Sequence, residues 1–203
     1  MSQTRDLDKA LEAFRRNGGV LRTGAALSQG VHPEALYRLI GEGRLVRLAR
    51  GLYRLSSAEE FINPDLAVVA VKAPGTVVCL ISALAYHGVT TQMPRVVHLA
   101  VPRGQYAALR LRSPPVKVYR FDPVTFEEGI EVHRIDGADL RVYGVARTLV
   151  DCFKYRNKIG LDVAIEALRF ARQRKRTSNR DILHIARLLR QERVMAPYLE
   201  AVT

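Results

Sequence analysis

An α+β fold is predicted, and three features of the sequence predict it. Apolar residues recur at helical spacing over residues 7–40, β-rich runs occupy much of residues 96–143, and helical spacing returns from Val145 onward. The 203 residues are 48% hydrophobic, enough for one large core or two small ones and too apolar for a disordered tail.

Leu7, Leu11 and Phe14 mark a first helix that stops at Asn17-Gly18-Gly19. Thr23 is placed to cap a short second helix running from Gly24 to about Ser28, and Gly30 supplies the left-handed backbone of a tight interhelical turn. Pro33 has its φ preset for the first turn of a third helix. Glu34 faces that helix's positive end, and Leu36, Leu39 and Ile40 give it an apolar side before Gly41 and Gly43 end it. Leu45-Val46-Arg47-Leu48 and Leu52-Tyr53-Arg54-Leu55 flank a turn at Ala49-Arg50-Gly51 and read as a hairpin. Three helices and a hairpin make an N-terminal winged helix-turn-helix over residues 1–57. The polar joint Ser56-Ser57-Ala58-Glu59-Glu60 marks the boundary to a second domain, 58–203.

In that second region a helix opens at Pro64 and runs to about Lys72, and another spans Cys79 to His87, closed by Gly88. Val96–Val101, Val116–Phe121, Ile130–Ile135 and Leu140–Tyr143 are β-rich and separated by Pro, Gly and Asp, which predicts a mainly antiparallel sheet. Helices follow: one ending near Tyr155, one from Leu161 to about Arg172, and one from Asn179 to about Arg193. The second domain is therefore expected to be α+β, with helices flanking the sheet.

The chain carries 32 Lys and Arg against 20 Asp and Glu, a net charge of +12, which directs attention to a polyanionic partner. The excess is organised. Arg44, Arg47, Arg50 and Arg54 have no acid between them, and a second group runs from Arg169 through Arg172, Arg174, Lys175 and Arg176 to Arg180. On the third helix, His32, Glu34, Ala35, Tyr37, Arg38 and Glu42 are placed on the solvent side, where Arg38 is the best candidate for a bidentate contact to guanine in a major groove. The arginines of the hairpin, Arg47 and Arg50 foremost, suit phosphates or a minor groove. A winged helix can also serve only as a protein-interaction module. The acid-free hairpin favours double-stranded DNA.

Several chemistries find no support. There is no Walker or dinucleotide phosphate loop, and no carboxylate stands two residues before any lysine, so the usual signature of metal-dependent nucleases is absent and the nuclease case weakens. His133-Arg134-Ile135-Asp136 superficially matches a kinase catalytic loop, but neither a glycine-rich loop nor an Asp-Phe-Gly accompanies it. The five histidines lack metal-ligand spacing, and Ser82 has no nucleophile elbow. No catalytic residue, metal or cofactor is expected. Cys79 and Cys152 sit in apolar surroundings and read as buried free thiols. No run of 18 apolar residues occurs and the N-terminal residues are polar, so a cytoplasmic protein without a membrane partner is expected.

Leu21–Leu27, Gly30-Val31, Leu36–Ile40 and Gly43–Leu55 resemble the N-terminal winged helix of the AbiEi family of antitoxins from bacterial abortive-infection systems. Ile81–Thr90, Pro94-Arg95, Val97–Arg103 and Ala146–Asp151 are similar to that family's C-terminal antitoxin domain. The resemblance implies a transcriptional autorepressor that binds inverted repeats in its own promoter. It also implies that the chain counters a nucleotidyltransferase-like toxin in a type IV system, where antitoxin and toxin need not form a stable complex. Its binding residues would be His32, Tyr37 and Arg38 on the helix and Arg44, Arg47, Arg50 and Arg54 on the wing, with a further basic surface from the Arg169–Arg180 group. Two alternatives stay open: a nuclease or nucleotidyltransferase targeted by the winged helix, and an orphan regulator without a toxin.

Overall fold

Helix α1 (Ser2–Arg16) opens the chain in a computed structural model that describes residues 2–57, 64–104, 111, 113–135 and 138–202. Two compact units emerge. One comprises residues up to Ala73 together with Arg134–Leu140, and the other comprises Pro74–His133 with Arg141 onward. Part of the expected joint, Ala58-Glu59-Glu60, lies outside the described residues, as does Asp136 of the kinase-like tetrapeptide.

In the first unit, α1 leads through Gly18 and Gly19, both at positive φ, into strand β1 (Val20–Arg22). Helices α2 (Thr23–Ser28) and α3 (Pro33–Gly41) follow, then strands β2 (Leu45–Ala49) and β3 (Leu52–Leu55) and helix α4 (Pro64–Lys72). The sheet order is β1-β3-β2, both pairings antiparallel, so the hairpin has a third strand that is too short to leave a period in the sequence. Leu7, Leu11 and Phe14 of α1 meet Ala26, Val31, Leu36, Leu39, Leu45, Tyr53 and Leu55 in one core. Stripping these side chains of water supplies the drive for the helices to fold onto the sheet.

Thr23 does not cap α2. The helix begins at Thr23 itself, with Arg22 as N-cap and no side-chain cap bond. One of the helix's orphan N–H groups, that of Thr23 at its first position, donates to the Gly51 carbonyl in the wing turn at 3.0 Å. A tertiary partner satisfies it. Gly30 performs the expected role, with φ +76 in the turn between α2 and α3 and the Lys9 ammonium 2.9 Å from where a Cβ would sit.

The second unit holds β4 (Val77–Val78), α5 (Leu80–Tyr86), β5 (Val97–Pro102), β6 (Val116–Phe121), β7 (Ile130–Ile135, its last two residues grouped with the first unit) and β8 (Ala138–Tyr143). After these come α6 (Val145–Lys154), α7 (Arg156–Ile159), α8 (Leu161–Gln173), α9 (Asn179–Leu188) and α10 (Glu192–Ala201). The α+β class holds. The sheet, ordered β6-β5-β4-β8-β7, is mixed rather than mainly antiparallel: β4–β5 is antiparallel, while β5–β6 and β4–β8 are parallel. Residues 103–115 between β5 and β6 are numerous enough for the crossover of about a dozen residues that parallel neighbours need. The expected last helix is two, broken where Arg190 takes φ +55.

The core of this unit surrounds α6. Its Arg147, 2% exposed, donates from Nε to Asp151 at 2.8 Å and from Nη1 to the carbonyls of Thr125 and Glu128 at 2.7 and 2.8 Å, and its guanidinium lies over the Tyr143 ring. Cys79 and Cys152 are buried free thiols. Among the described residues, no helix is long and apolar enough to cross a membrane.

Candidate nucleic-acid interface

Helix α3 buries Ala35, Leu36 and Leu39 and turns the rest of its surface outward. Ala35 belongs to the packed side, contrary to its expected place among the solvent-facing residues. Val31, Ala35 and Leu39 follow one another at intervals of four and are 3%, 5% and 0% exposed, a single stripe set against the core. His32, Glu34, Tyr37 and Arg38 are exposed, Tyr37 at 71%.

Three of these line one cleft of about 140 Å³, where His32, Glu34 and Arg38 meet Asp6 of α1. Arg38 Nε donates to Glu42 at 3.0 Å, and the imidazole of His32 stands 3.9 Å from Glu34. The outward surface of α3 thus mixes donors and acceptors. Such a surface can discriminate base edges: a guanidinium matches guanine O6 and N7, and a carboxylate accepts from the cytosine amino group.

The wing differs. Arg44, Arg47 and Arg50 are exposed and form no ion pair among the described residues. Arg54 is placed otherwise. It lies half-buried on the central strand between Val20 and Val46, away from the turn. A register shift between Arg47 and Ala49 interrupts the simple alternation of arginine with apolar residues that the sequence suggested.

The turn that carries Arg50 is held on two sides. Gly51, at φ +73, accepts from Thr23 N, and the Arg50 carbonyl accepts from Lys72 Nζ at 3.2 Å. Helix α4, which delivers Lys72, packs against β2. Partial burial and then the charges of Arg22 and Arg47 hold the Lys72 ammonium below its ordinary pKa. Arg22 and Lys72 are the residues that sequence reasoning did not find. Arg22 precedes a short helix and Lys72 is the only cation between Arg54 and Arg95, so neither stands in a run that would mark it.

This arrangement is suited to gripping a polyanion. The braced turn carries guanidinium groups of the kind that can pair with phosphates, and a helix of the same unit presents mixed polar groups. Among the described residues, no group of three His, Cys, Asp or Glu side chains could hold a metal ion.

Residues 8–56, which span α1 to β3, match the family described as "Transcriptional regulator, AbiEi antitoxin". Among solved structures, the chain is similar to the RV2827C protein from Mycobacterium tuberculosis, at 15% identity and a TM-score of 0.57, with 90% of this chain and 71% of that one covered. At that identity the likeness is one of fold. A comparison with curated proteins finds no significant match.

Proposed function

We propose that the chain is a cytoplasmic transcriptional repressor that binds double-stranded DNA at inverted repeats in its own promoter and acts as the antitoxin of a nucleotidyltransferase-like toxin. It neutralises that toxin without forming a stable complex, and it is not itself an enzyme. The observation that carries this reading is the set of exposed arginines, unpaired by any described carboxylate, on the wing of the segment that matches the antitoxin regulator family. Arg44, Arg47 and Arg50 contact phosphates, Arg54 supports them from the central strand, and His32, Glu34, Tyr37 and Arg38 face the bases.

The test is a fluorescence titration of the full chain with a duplex taken from upstream of its own gene, repeated across a range of salt. Each phosphate contact steepens the fall of log K with log salt by about 0.9. Replacing both Arg47 and Arg50 by Ala is expected to lower affinity for every duplex and reduce that slope by about 1.8. An unchanged slope removes the wing from the interface, and a wild-type chain indifferent to duplex DNA removes the reading altogether.

A further inference from the structure

The arginine hairpin is bordered by two further cations, Arg22 and Lys72. Arg22 sits at the end of β1, opposite Leu52 across the sheet, and is exposed. Lys72 ends α4, well beyond the family match at residue 56, and its ammonium reaches back to the carbonyl of Arg50. We propose that Arg22 and Lys72 join Arg47 and Arg50 as one phosphate-binding cluster, so that the DNA contact extends past the wing onto the first helix that follows it. This rests on the duplex-binding reading above.

Three observations support it. The cluster has no counter-ion of its own: none of the four residues forms an ion pair among the described residues. Its members lie close enough to repel one another, since the charges of Arg22 and Arg47 both work against the protonation of Lys72. A fold gathers like charges in this way at a cost, and a phosphodiester backbone laid across them offsets that repulsion and releases its own counterions. Lys72 also does more than approach the cluster. By bonding the Arg50 carbonyl while Thr23 bonds that of Gly51, it fixes the backbone from which the Arg50 side chain projects, so less freedom is lost on binding.

A purely structural role for Lys72, holding the turn, is the competing explanation, and the two separate in a salt titration. Lys72→Gln keeps a donor for the Arg50 carbonyl and removes the charge, whereas Lys72→Arg keeps the charge. On full-length protein and the upstream duplex, Lys72→Gln is expected to reduce the salt slope by about 0.9. Referred to 1 M salt, that reduction is a loss of about eightfold in affinity at 0.1 M. Lys72→Arg restores both. Arg22→Gln, at an exposed position whose replacement leaves the core untouched, produces the same change and keeps the proposal testable if Lys72→Gln melts early.

The proposal is overturned if both glutamine variants retain the wild-type slope, or if affinity drops with the slope unchanged, which is the signature of a turn clamp alone. In either event, a wild-type chain that binds with a steep salt dependence, and an Arg47/Arg50 double variant that loses it, leave the wider reading standing. Absence of duplex binding by the wild type removes both.

Discussion

In the first unit Arg22, Arg44, Arg47 and Arg50 are exposed and unpaired by any described carboxylate, whereas several arginines of the second unit are bonded to the protein itself. Arg147 is buried in its bonds to Asp151, Thr125 and Glu128. Arg156 donates to the Phe153 carbonyl at 2.8 Å, Arg172 to that of Leu199 at 3.1 Å, and Arg187 to Glu192 at 2.7 Å. Arg174 bonds the Gly88 carbonyl and lies over the Phe170 ring. A sequence count cannot separate the two uses, because net charge assigns every arginine the same weight. What separates them is whether the fold offers the guanidinium a carbonyl or carboxylate. The C-terminal basic group divides accordingly: Arg172 and Arg174 are engaged, and Arg169, Lys175, Arg176 and Arg180 stay exposed.

The largest effect is expected where arginine is most deeply used. Arg147→Met strips the fully buried Asp151 of its cation, so that the carboxyl must take up a proton or stay uncompensated, and it frees two loop carbonyls, a loss of about 3–5 kcal/mol. Urea unfolding of the second unit, followed by a probe placed within it, measures this. Stability within about 1 kcal/mol of wild type would refute the claim that the pair organises the loop before β7.

Next in size is a pH dependence of two opposing parts. Burial raises the Asp151 carboxyl from 3.8 to about 6, against the pull of Arg147. Between those values the native state holds a proton that the unfolded chain has released, so this group's contribution to stability falls as pH rises through the window, by up to ~3 kcal/mol. Burial and then Lys117 lower His98 from 6.5 to about 4, and its Nδ1 has no hydrogen-bond partner among the described residues. There the unfolded chain binds the extra proton, so stability falls as pH drops from 6.5 toward 4; His87, lowered by burial, acts with the same sign. The parts largely cancel in the wild type. Asp151→Asn should therefore steepen the loss of melting temperature on acidification from pH 6.5 to 4, and His98→Asn should flatten or reverse it. Parallel profiles for all three proteins would show that neither group titrates differently on folding.

How far the sequence could be read follows the same division between local and distant partners. Helix α3 and the hairpin were legible because Pro33, Glu34, the apolar stripe, Gly43 and Gly51 all point to one local structure. The mixed sheet was not, since the directions of β5 against β6 and β4 against β8 are settled by contacts between distant residues. Nor was the break after α9, where the left-handed residue is an arginine instead of the glycine that would announce it. Of the candidate site, the exposure of His32, Glu34, Tyr37, Arg38, Arg44, Arg47 and Arg50 followed from periodicity. The half-burial of Arg54 did not, because β3 becomes a central strand only once β1 is known to pair with it.

The smallest change in stability is expected at Arg38, and it separates the two outward-facing surfaces of the first unit from each other. Arg38 holds Glu42 across one helical turn, at 52% and 36% exposure, so the pair is worth only about 0.3–0.5 kcal/mol to the fold. If α3 reads bases while the wing grips phosphates, Arg38→Ala should leave the melting temperature nearly unchanged and cost roughly 1–3 kcal/mol on the preferred duplex but much less on a random one. Its salt slope should shift far less than that of the Arg47/Arg50 double variant, since a contact to a base edge displaces no condensed counterion. Competition titrations with the two duplexes measure the difference. Equal losses on both would make Arg38 one more phosphate contact, and the division of labour between helix and wing would have to be redrawn with sequence reading moved to Tyr37, His32 or Glu34.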